Sequence, residues 1–262
     1  MKSSAETNIS PLGWAAYASI LSFGSLGAAW CLASYYFNVP DFVMPKPHLV
    51  GAALKTGWID GLLWQHIAFT VEATLKGLAV GCGIGLIIGI IVAEIPALER
   101  IVFPIVIGIQ SVPKVAVAPL IIVYFGFGIE SKIFTVAVLS FFPIFIGTLR
   151  GMRATDADLL DLYRSFMSSR LHTVLHVRLP SAATYIFSAM QVAIVLGLIG
   201  CITSEFIAST QGLGFIIKSR AGELDIAVMF AAILTLSLFG TLGVAAVKML
   251  ERFVLFWDQQ RK

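Results

Sequence analysis

Residues 66–93 read HIAFTVEATLKGLAVGCGIGLIIGIIVA, and this stretch decides the fold class. It exceeds the roughly 20 mostly apolar residues with which a helix crosses a bilayer. Gly77, Gly81, Gly85 and Gly89 recur every four residues, so on a helix they form one row that another backbone can approach closely. The GCGIG within it lacks the preceding strand and the GxGxxG spacing of a dinucleotide-binding loop. The stretch therefore predicts a membrane-spanning helix packed against a second helix.

The composition of the whole chain is typical of a membrane protein. Of its 262 residues, 58% are hydrophobic and 13% are charged, and the mean hydropathy is +0.91. A soluble domain is about 25% charged. The net charge of +3 is small and the cations are scattered among apolar runs, which argues against nucleic-acid binding. The three cysteines lie far apart without a CxxC pair, so the sequence predicts neither a disulfide framework nor a metal site.

Six apolar stretches are long enough to span a bilayer. They cover approximately residues 13–36, 66–93, 102–125, 132–150, 183–208 and 226–250. The first is longer than the apolar region of a signal peptide and no small-residue cleavage site follows it, so we interpret it as a retained anchor. We therefore expect an all-α membrane protein with an N-terminal anchor helix and outer segment over residues 1–65 and a core of five further membrane helices over residues 66–257.

The distribution of lysine and arginine predicts the orientation of the chain, because loops on the inner side of a membrane are enriched in these residues. With the N-terminus inside, the inner side carries eleven of them: Lys2, Arg100, Arg150, Arg153, Arg164, Arg170, Arg178, Lys248, Arg252, Arg261 and Lys262. The outer side carries five: Lys46, Lys55, Lys132, Lys218 and Arg220. This asymmetry predicts that both termini face the cytoplasm.

Polar groups interrupt the third predicted span, which contains SVPKVAVAP over residues 111–119. Gln110, Ser111 and Lys114 lie beside proline residues, and proline kinks a helix because it lacks a backbone N–H. Irregular backbone at membrane depth is tolerated where it is buried in protein or lines a wet cavity. Two interpretations stay open: a helix that lines a polar pathway, and a kinked structural helix whose Lys114 is tied to a carbonyl group.

Ionisable residues within membrane spans are candidates for function. Glu205 lies near the outer end of the fifth predicted span and is one candidate for the pathway, although a solvated or salt-bridged role is also open. Glu72 precedes Lys76 by four residues, the spacing at which the two side chains pair on one helix face. For these two residues the sequence favours a local ion pair.

A polar segment, DLYRSFMSSRLHTVLHVRLP, occupies residues 161–180 in the middle of this apolar chain. It follows Thr155 and Asp158, which resemble a capping box. An apolar side of Leu159, Leu162, Tyr163, Phe166 and Met167 follows the spacing of an amphipathic helix. Ser168 and Ser169 predict a break, and a second short helix from about Leu171 is expected to end near Leu179, before Pro180. The segment therefore predicts two helices joined by a turn on the inner face of the membrane.

Three roles for this segment can be compared. His172 and His176 have the spacing of zinc peptidases, but Thr173 stands where those enzymes need glutamate. A basic amphipathic segment can also rest on anionic lipid. The remaining hypothesis is a docking surface for a cytoplasmic partner.

This segment resembles the EAA loop in membrane subunits of bacterial ATP-binding cassette (ABC) importers, whose pattern is E-A-A, a glycine after three further residues, and later I-x-L-P. Asp161, Leu162 and Tyr163 stand at the E-A-A positions, Met167 at the glycine, and residues 177–180 (VRLP) at the end. Four further stretches resemble the aliphatic-sulfonate, taurine and nitrate permeases: LLWQHIAFTVEATLKGLAVGCGIGLIIGI (62–90), SVPKVAVAPLIIVYFGFGIESKIF (111–134), FFPIFIGTLRGMR (141–153) and SEFIASTQGLGFII (204–217). Together they extend over roughly residues 40 to 257.

The resemblance implies a type I importer fold with cytoplasmic coupling helices, in a permease that dimerises with itself or with a similar subunit. It further implies two ATPase subunits, a periplasmic binding protein and a bacterial inner-membrane location. ATP and Mg would bind to the ATPase, and no cofactor to this chain. The EAA-like loop spans residues 151–182, and the residues expected to couple to the ATPase are Asp161, Leu162, Tyr163, Arg164, Phe166, Met167 and Arg170. The expected pathway residues are Gln110, Ser111, Lys114 and Glu205.

The substrate suggested by the resemblance is a small anion of the sulfonate, taurine or nitrate type, and a thiamine-precursor pyrimidine or riboflavin is the alternative. A secondary transporter that needs no ATPase is a rival hypothesis, and a neighbouring gene for a Walker-A ATPase would decide between the two. An enzyme is not expected, because the predicted spans contain no aspartate and, apart from His66 at one margin, no histidine.

Overall fold

The computed structural model describes residues 11–37 and 39–256, and within them the chain is helical and contains no strand. The α-helices are α1 (Pro11–Tyr36), α2 (Pro47–Trp58), α3 (Trp64–Glu94), α4 (Pro96–Gln110), α5 (Lys114–Phe125), α6 (Ile129–Arg153), α7 (Ala157–Ser165), α8 (Arg170–Thr173), α9 (Leu179–Ile207), α10 (Leu213–Gly222) and α11 (Ile226–Val254). A π-helical segment, Val174–Arg178, joins α8 to α9. The prediction of an all-α protein is confirmed for this part of the chain.

Four helices of the described chain are long and apolar enough to cross a membrane. They are α3, α6, the continuous helix Arg170–Ile207 that includes α8 and α9, and α11. These four correspond to the second, fourth, fifth and sixth predicted spans. Helix α1 lies where the first span is predicted, but it is not among the four, so the count of six membrane helices stays a prediction.

The third predicted span is not one continuous helix. Helix α4 ends at Gln110 and α5 begins at Lys114, so the kinked helix predicted over residues 102–125 is broken into two helices, whereas a membrane crossing by this stretch stays a prediction. The break has a local cause, because Pro113 has no backbone N–H and disfavours helical backbone in the residue before it. Pro113 itself has extended backbone with a ψ of 101°.

The predicted glycine row packs α3 against α6. A Cβ on Gly85 would lie 2.8 Å from the carbonyl oxygen of Phe141, and a Cβ on Gly89 would lie 2.8 Å from the Cβ of Thr148. Both distances are too short for real side chains, so glycine is needed for this approach. Gly77 and Gly81 meet earlier residues of α6, which means that the two helices run parallel. The prediction that these glycines serve helix packing is confirmed.

Helix α9 runs antiparallel to α6 on another side. Gly151 of α6 faces Ala182 of α9, while Gly200 near the other end of α9 faces Leu139. A cluster of buried residues joins α3, α4, α6 and the start of α9: Val92, Ala93, Val106, Phe142, Phe145, Leu149, Met152, Val174 and Ala182. Because lipid is as apolar as these side chains, close van der Waals packing is what holds the helices together.

The helix directions divide the bundle into two ends. The α7 end contains the last residues of α3, α6 and α11 and the first residues of α4 and α9. The α10 end contains α2, the first residues of α3 and α6, and the loop from α9 to α10. Helices α3, α4 and α5 follow each other closely, with one residue between α3 and α4 and three between α4 and α5.

The second short helix of the polar segment does not end at Leu179. The helix continues through Pro180 into α9, so the predicted ending is wrong. Pro180 lies in the first turn of α9, where its missing N–H is tolerated. The π-helical segment directly before it supplies the wider turn that accommodates the proline within a continuous helix.

Candidate functional site

Helix α7 begins with a side-chain cap at the α7 end of the bundle. The carboxylate of Asp156 accepts a hydrogen bond from the backbone N–H of Asp158 at 2.9 Å, as an N-cap residue does. The predicted capping box that starts at Thr155 is wrong, because the Thr155 hydroxyl donates instead to the carbonyl of Met152 at 3.0 Å. The cap lies one residue further along the chain, and Thr155 closes the end of α6.

The turn after α7 is a Schellman motif. The N–H of Ser168 donates to the carbonyl of Tyr163 at 3.1 Å, and the N–H of Met167 donates to the carbonyl of Arg164 at 3.0 Å. Met167 has a φ of 51°, in the left-handed region that favours glycine. This is the position at which the EAA pattern has its glycine, so the structure gives a backbone reason for that residue. The break predicted at Ser168 and Ser169 is confirmed.

The apolar side of this segment faces outward from the chain. Leu162, Phe166 and Met167 are 50%, 76% and 94% exposed. Tyr163 stacks on His172 with ring centroids 6.3 Å apart, and this contact joins α7 to α8. The surface formed by Leu162, Tyr163, Phe166, Ser168, Ser169 and His172 surrounds an open cleft. We call these six residues the α7 surface.

The charged residues of the segment lie around the α7 surface. Arg164 donates to Asp161 at 2.9 Å along the same helix, and both side chains are exposed. Arg170 is exposed and is the first residue of α8. The structure therefore places all seven predicted coupling residues within α7, its closing turn and the start of α8.

The break between α4 and α5 brings together three of the four predicted pathway residues. Gln110 is the last residue of α4 and Ser111 follows it, and both are exposed. The Ser111 hydroxyl donates to the carbonyl of Ile107 at 3.0 Å. Lys114 is the first residue of α5, and its side chain lies outside the described part of the structure. We call residues 110–114 the α4–α5 break.

Glu205 lies apart from this break, fully buried at the α10 end of α9. Its Oε1 accepts a hydrogen bond from the Thr70 hydroxyl at 2.8 Å, and its Oε2 accepts one from the N–H of Gly214 at 2.7 Å. Thr70 in turn accepts a hydrogen bond from the N–H of Leu213 at 2.8 Å. The carboxylate thus holds α10 on α3 and α9 and is bonded within the protein.

Lys132, which the sequence predicts on the outer side, is a buried residue. It is fully buried in the first turns of α6 at the α10 end, so it is held within the bundle, and the side of the membrane on which it lies stays a prediction. Its Nζ donates to the carbonyl oxygens of Ala208 at 2.5 Å and Phe127 at 2.9 Å. A lysine four residues into an apolar helix gives no sequence signal for these partners, because one of them, Ala208, is 76 positions away.

The predicted local pair of Glu72 and Lys76 is confirmed. The lysine Nζ lies 2.6 Å from a carboxylate oxygen of Glu72, and both side chains are about half exposed. The pair joins consecutive turns of α3 and contacts neither the α4–α5 break nor Glu205 in the interactions that the structure records for it.

Comparison with known proteins identifies the family. Residues 85–255 match the profile of the family described as "binding-protein-dependent transport system inner membrane component". The chain belongs to this family. It is thus a membrane permease of the ABC importer type, a transport subunit without catalytic activity of its own, and membership implies ATPase and binding-protein partners.

Curated relatives cover most of the chain. A riboflavin transport system permease of Chloroflexus aurantiacus is 32% identical over 219 residues, which are 84% of this chain and 82% of that protein. A putative aliphatic sulfonates permease of Escherichia coli is 33% identical and covers 88% of each chain. The taurine permease of E. coli is 28% identical over 90% of this chain and 89% of its own length. The resemblance to sulfonate and taurine permeases is confirmed.

The permease also shares its fold with a solved transporter. A crystal structure of the MetNI methionine ABC transporter in an inward-facing conformation has a chain that superposes with a TM-score of 0.61 at 19% identity. The match covers 73% of this permease and 94% of that chain. At this identity the likeness is one of fold.

Proposed function

We propose that this permease forms the translocation pathway of an ATP-driven importer of a small anionic solute of the sulfonate, taurine or nitrate type. In this proposal two copies of the chain, or one copy and a similar subunit, form the pathway in the lipid of the bacterial inner membrane. A periplasmic binding protein delivers the solute. Two separate ATPase subunits bind ATP and Mg and dock on the α7 surface.

The observation that carries the proposal is the build of the α7 surface. Its apolar side chains are exposed at the α7 end, and anchors of this kind dominate protein interfaces. A side-chain cap closes α7 at its start and a Schellman motif closes it at its end, so the helix is rigid at both termini. A rigid surface passes on the movement of a bound partner, which a loose loop would absorb.

A second copy of the chain accounts for the outward face of α4. Ile101, Ile105 and Ile109 form one row at helical spacing, and all three are exposed. The same helix ends at Gln110 and Ser111, so a partner that covers the isoleucine row would enclose these polar groups beside it. We therefore propose that the α4–α5 break lines the pathway near the axis between two permease subunits.

The proposed substrate class rests on the named substrates of the relatives. Sulfonate and taurine permeases match over most of the chain. Relatives named for riboflavin and for formylaminopyrimidine, the latter from Halalkalibacterium halodurans, support the second candidate class. Calorimetry on the cognate binding protein, with sulfonates, taurine, nitrate, pyrimidines and riboflavin, decides between them. Retention of a neutral pyrimidine or a flavin alone would reject the anionic class.

The docking of the ATPase is tested by Phe166→Asp. A carboxylate in the centre of the apolar surface leaves the permease folded but should abolish co-purification of the ATPase, since the charge would be buried without a partner. The matched control is Phe42→Asp, which places the same charge on an exposed phenylalanine before α2. If Phe166→Asp still retains its ATPase and supports normal uptake, the α7 surface faces lipid and the docking proposal is wrong.

The orientation is tested by labelling single cysteines in whole cells. We propose that the α7 end and both termini face the cytoplasm, as the lysine and arginine asymmetry indicates. Lys218 and Arg170 are exposed at the α10 and α7 ends. A cysteine at position 218 should react with a membrane-impermeant maleimide from outside, and one at position 170 only after the membrane is opened. The reverse pattern would overturn the orientation.

A further inference from the structure

Two arginines border the segment that carries the α7 surface. Arg153 is the last residue of α6, directly before this segment, and Arg178 is the last residue of the π-helical segment that follows it. Each arginine forms an ion pair with a glutamate of a different helix. Residues 154–177 lie between the two arginines and contain α7, its closing turn and α8, and we call them the coupling segment.

The two glutamates lie on either side of the turn from α3 to α4. Glu94 is the last residue of α3, and Arg178 donates to its carboxylate at 2.6 Å. Glu99 lies in the first turn of α4 and pairs with Arg153. The turn between them has one non-helical residue, Ile95, because Pro96 already begins α4. Both borders of the coupling segment are therefore tied to one tight turn.

The pair of Arg178 and Glu94 is partly shielded from water, with side chains 23% and 26% exposed. In the other pair the Glu99 side chain is 13% exposed, whereas that of Arg153 is 55% exposed. Partly buried pairs are screened less by salt than surface pairs, and breaking one leaves a charge without its partner. The other recorded pair near the coupling segment, Arg164 with Asp161, lies within α7 and connects it to nothing else.

Helix α4 is suited to transmit movement from this turn. It packs on the bundle through buried Val106 and partly buried Leu98, Val102 and Phe103, and its recorded ion pair to another helix is made by Glu99 in its first turn. Its 15 residues span about 22 Å and end at the α4–α5 break. A shift of the first turn therefore changes the position of Gln110 and Ser111 at the far end.

We propose that Arg153 and Arg178 are positioning residues that link the coupling segment to the pathway helix α4 through Glu99 and Glu94. The proposal rests on the proposed function, in which the ATPase docks on the α7 surface and the α4–α5 break lines the pathway. Movement of the docked ATPase shifts both borders of the segment, the ion pairs carry the shift to the turn between α3 and α4, and α4 moves with it.

The test measures the movement of α4 without requiring the transported solute. Ile109 is exposed near the far end of α4, and a cysteine there can be labelled with a maleimide in a background where Cys31 and Cys82 are alanine. The permease is reconstituted with its ATPase, and the labelling rate is compared without nucleotide and with ATP and vanadate. When both ion pairs are intact, we expect ATP and vanadate to change the labelling rate at position 109 by several-fold.

Charge reversals then distinguish the loss of an ion pair from the loss of ATPase docking. Glu99→Arg, Arg153→Glu, Glu94→Arg and Arg178→Glu should each leave ATPase co-purification and basal ATP hydrolysis within about twofold, but remove the nucleotide effect at position 109, because like charges now face each other. The exchanged pairs Glu99→Arg with Arg153→Glu, and Glu94→Arg with Arg178→Glu, should restore it. The control is Glu223→Arg, which breaks a local pair with Arg220 at the α10 end.

The outcomes distinguish the two proposals. If the ATPase does not co-purify with the unmodified permease, the proposed function fails and this inference fails with it. If the ATPase is retained and the nucleotide effect persists in the single reversals, or is absent from the unmodified permease, only the ion-pair proposal is overturned. Failure of both exchanged pairs to restore the effect also overturns it, since a link that depends on opposite charges must return when both charges are exchanged.

Discussion

The carboxylate of Glu205 caps the start of α10: its Oε2 lies 2.7 Å from the backbone nitrogen of Gly214. The residue before α10 is Gly212, which has no side chain to offer, so the cap comes from α9 instead. Thr70 of α3 bonds both to Glu205 and to the N–H of Leu213. A negative group at a helix N-terminus is also favoured by the helix dipole.

This arrangement predicts a large cost for removing the carboxylate. Glu205→Ala should lower the free energy of unfolding by about 3 kcal/mol, because two backbone or hydroxyl donors lose a charged acceptor in a buried site. Glu205→Gln should cost less, about 1–2 kcal/mol, since its amide oxygen still accepts one bond. Thermal unfolding of the purified permease in nanodiscs measures both.

The matched control for this site is Glu72→Gln, which changes an exposed glutamate with a surface pair and should shift the free energy by less than about 0.5 kcal/mol. Equal shifts for Glu72→Gln and Glu205→Ala would mean that the cap contributes no stability.

Gly81 and Gly83 offer a test of the packing of α3 within one helix. A Cβ on Gly81 would overlap Ser140 and Ala137 of α6, whereas a Cβ on Gly83 meets nothing within 4 Å. Gly81→Val should therefore lower the free energy of unfolding by about 3 kcal/mol or more and reduce the folded yield. Gly83→Val changes helix propensity in the same way but creates no overlap, so its folded yield should stay close to that of the unmodified permease. Size-exclusion chromatography of the detergent extract compares the folded fractions. Similar yields for the two variants would contradict the packing described here.

The contrast between the glycine row and Glu205 explains what the sequence could predict. The row repeats every four residues on one helix, so its meaning follows from helical geometry alone. The partners of Glu205 are Thr70, which is 135 positions away, and the backbone N–H of Gly214 in the first turn of α10, whose position depends on the fold. Long-range polar contacts of this kind leave no periodic signal, and the burial of Lys132 was not predicted for the same reason.

The two prolines show how far the backbone effect of a single residue can be predicted. Pro113 indicated an irregularity in the third span, and the structure has a complete break there. Pro180 was expected to end a helix, but the π-helical segment before it absorbs the disturbance. The propensity of a single proline could not reveal that neighbouring compensation, which depends on the packing of Val174 and Val177 in the bundle.

Lys114 is expected to attract an anionic solute at the α4–α5 break. Lys114→Met keeps a side chain of similar length and removes the charge, so uptake of the solute that the binding protein retains should fall about tenfold, the effect of roughly 1.4 kcal/mol. Assembly with the ATPase should be unchanged. Lys76→Met is the control, because it removes a lysine charge from an exposed pair on α3. Wild-type uptake by Lys114→Met would exclude this residue from the pathway.

Met167 has a left-handed backbone that a residue with a Cβ adopts at a cost of about 1–2 kcal/mol. Its side chain is exposed and contributes little packing within the chain, so Met167→Gly should remove the strain without losing a core contact. Glycine also raises the entropy of the unfolded chain, which offsets part of the gain, and a net stabilisation of about 0.5–1 kcal/mol is expected. Hydrogen exchange at the Met167 and Ser168 amides, which form the Schellman bonds, measures the effect.

Met167→Ala is the control that separates the backbone from the side chain. Alanine keeps the Cβ, and therefore the strain, but loses the rest of the side chain, so its turn should exchange as fast as that of the unmodified permease. If Met167 also contacts the ATPase, alanine and glycine should weaken co-purification equally, because both lack the thioether. Backbone strain therefore predicts that glycine differs from methionine and alanine in hydrogen exchange. A contact with the ATPase predicts that methionine differs from glycine and alanine in co-purification. Equal exchange rates for glycine and alanine would mean that the left-handed turn carries no strain at this position.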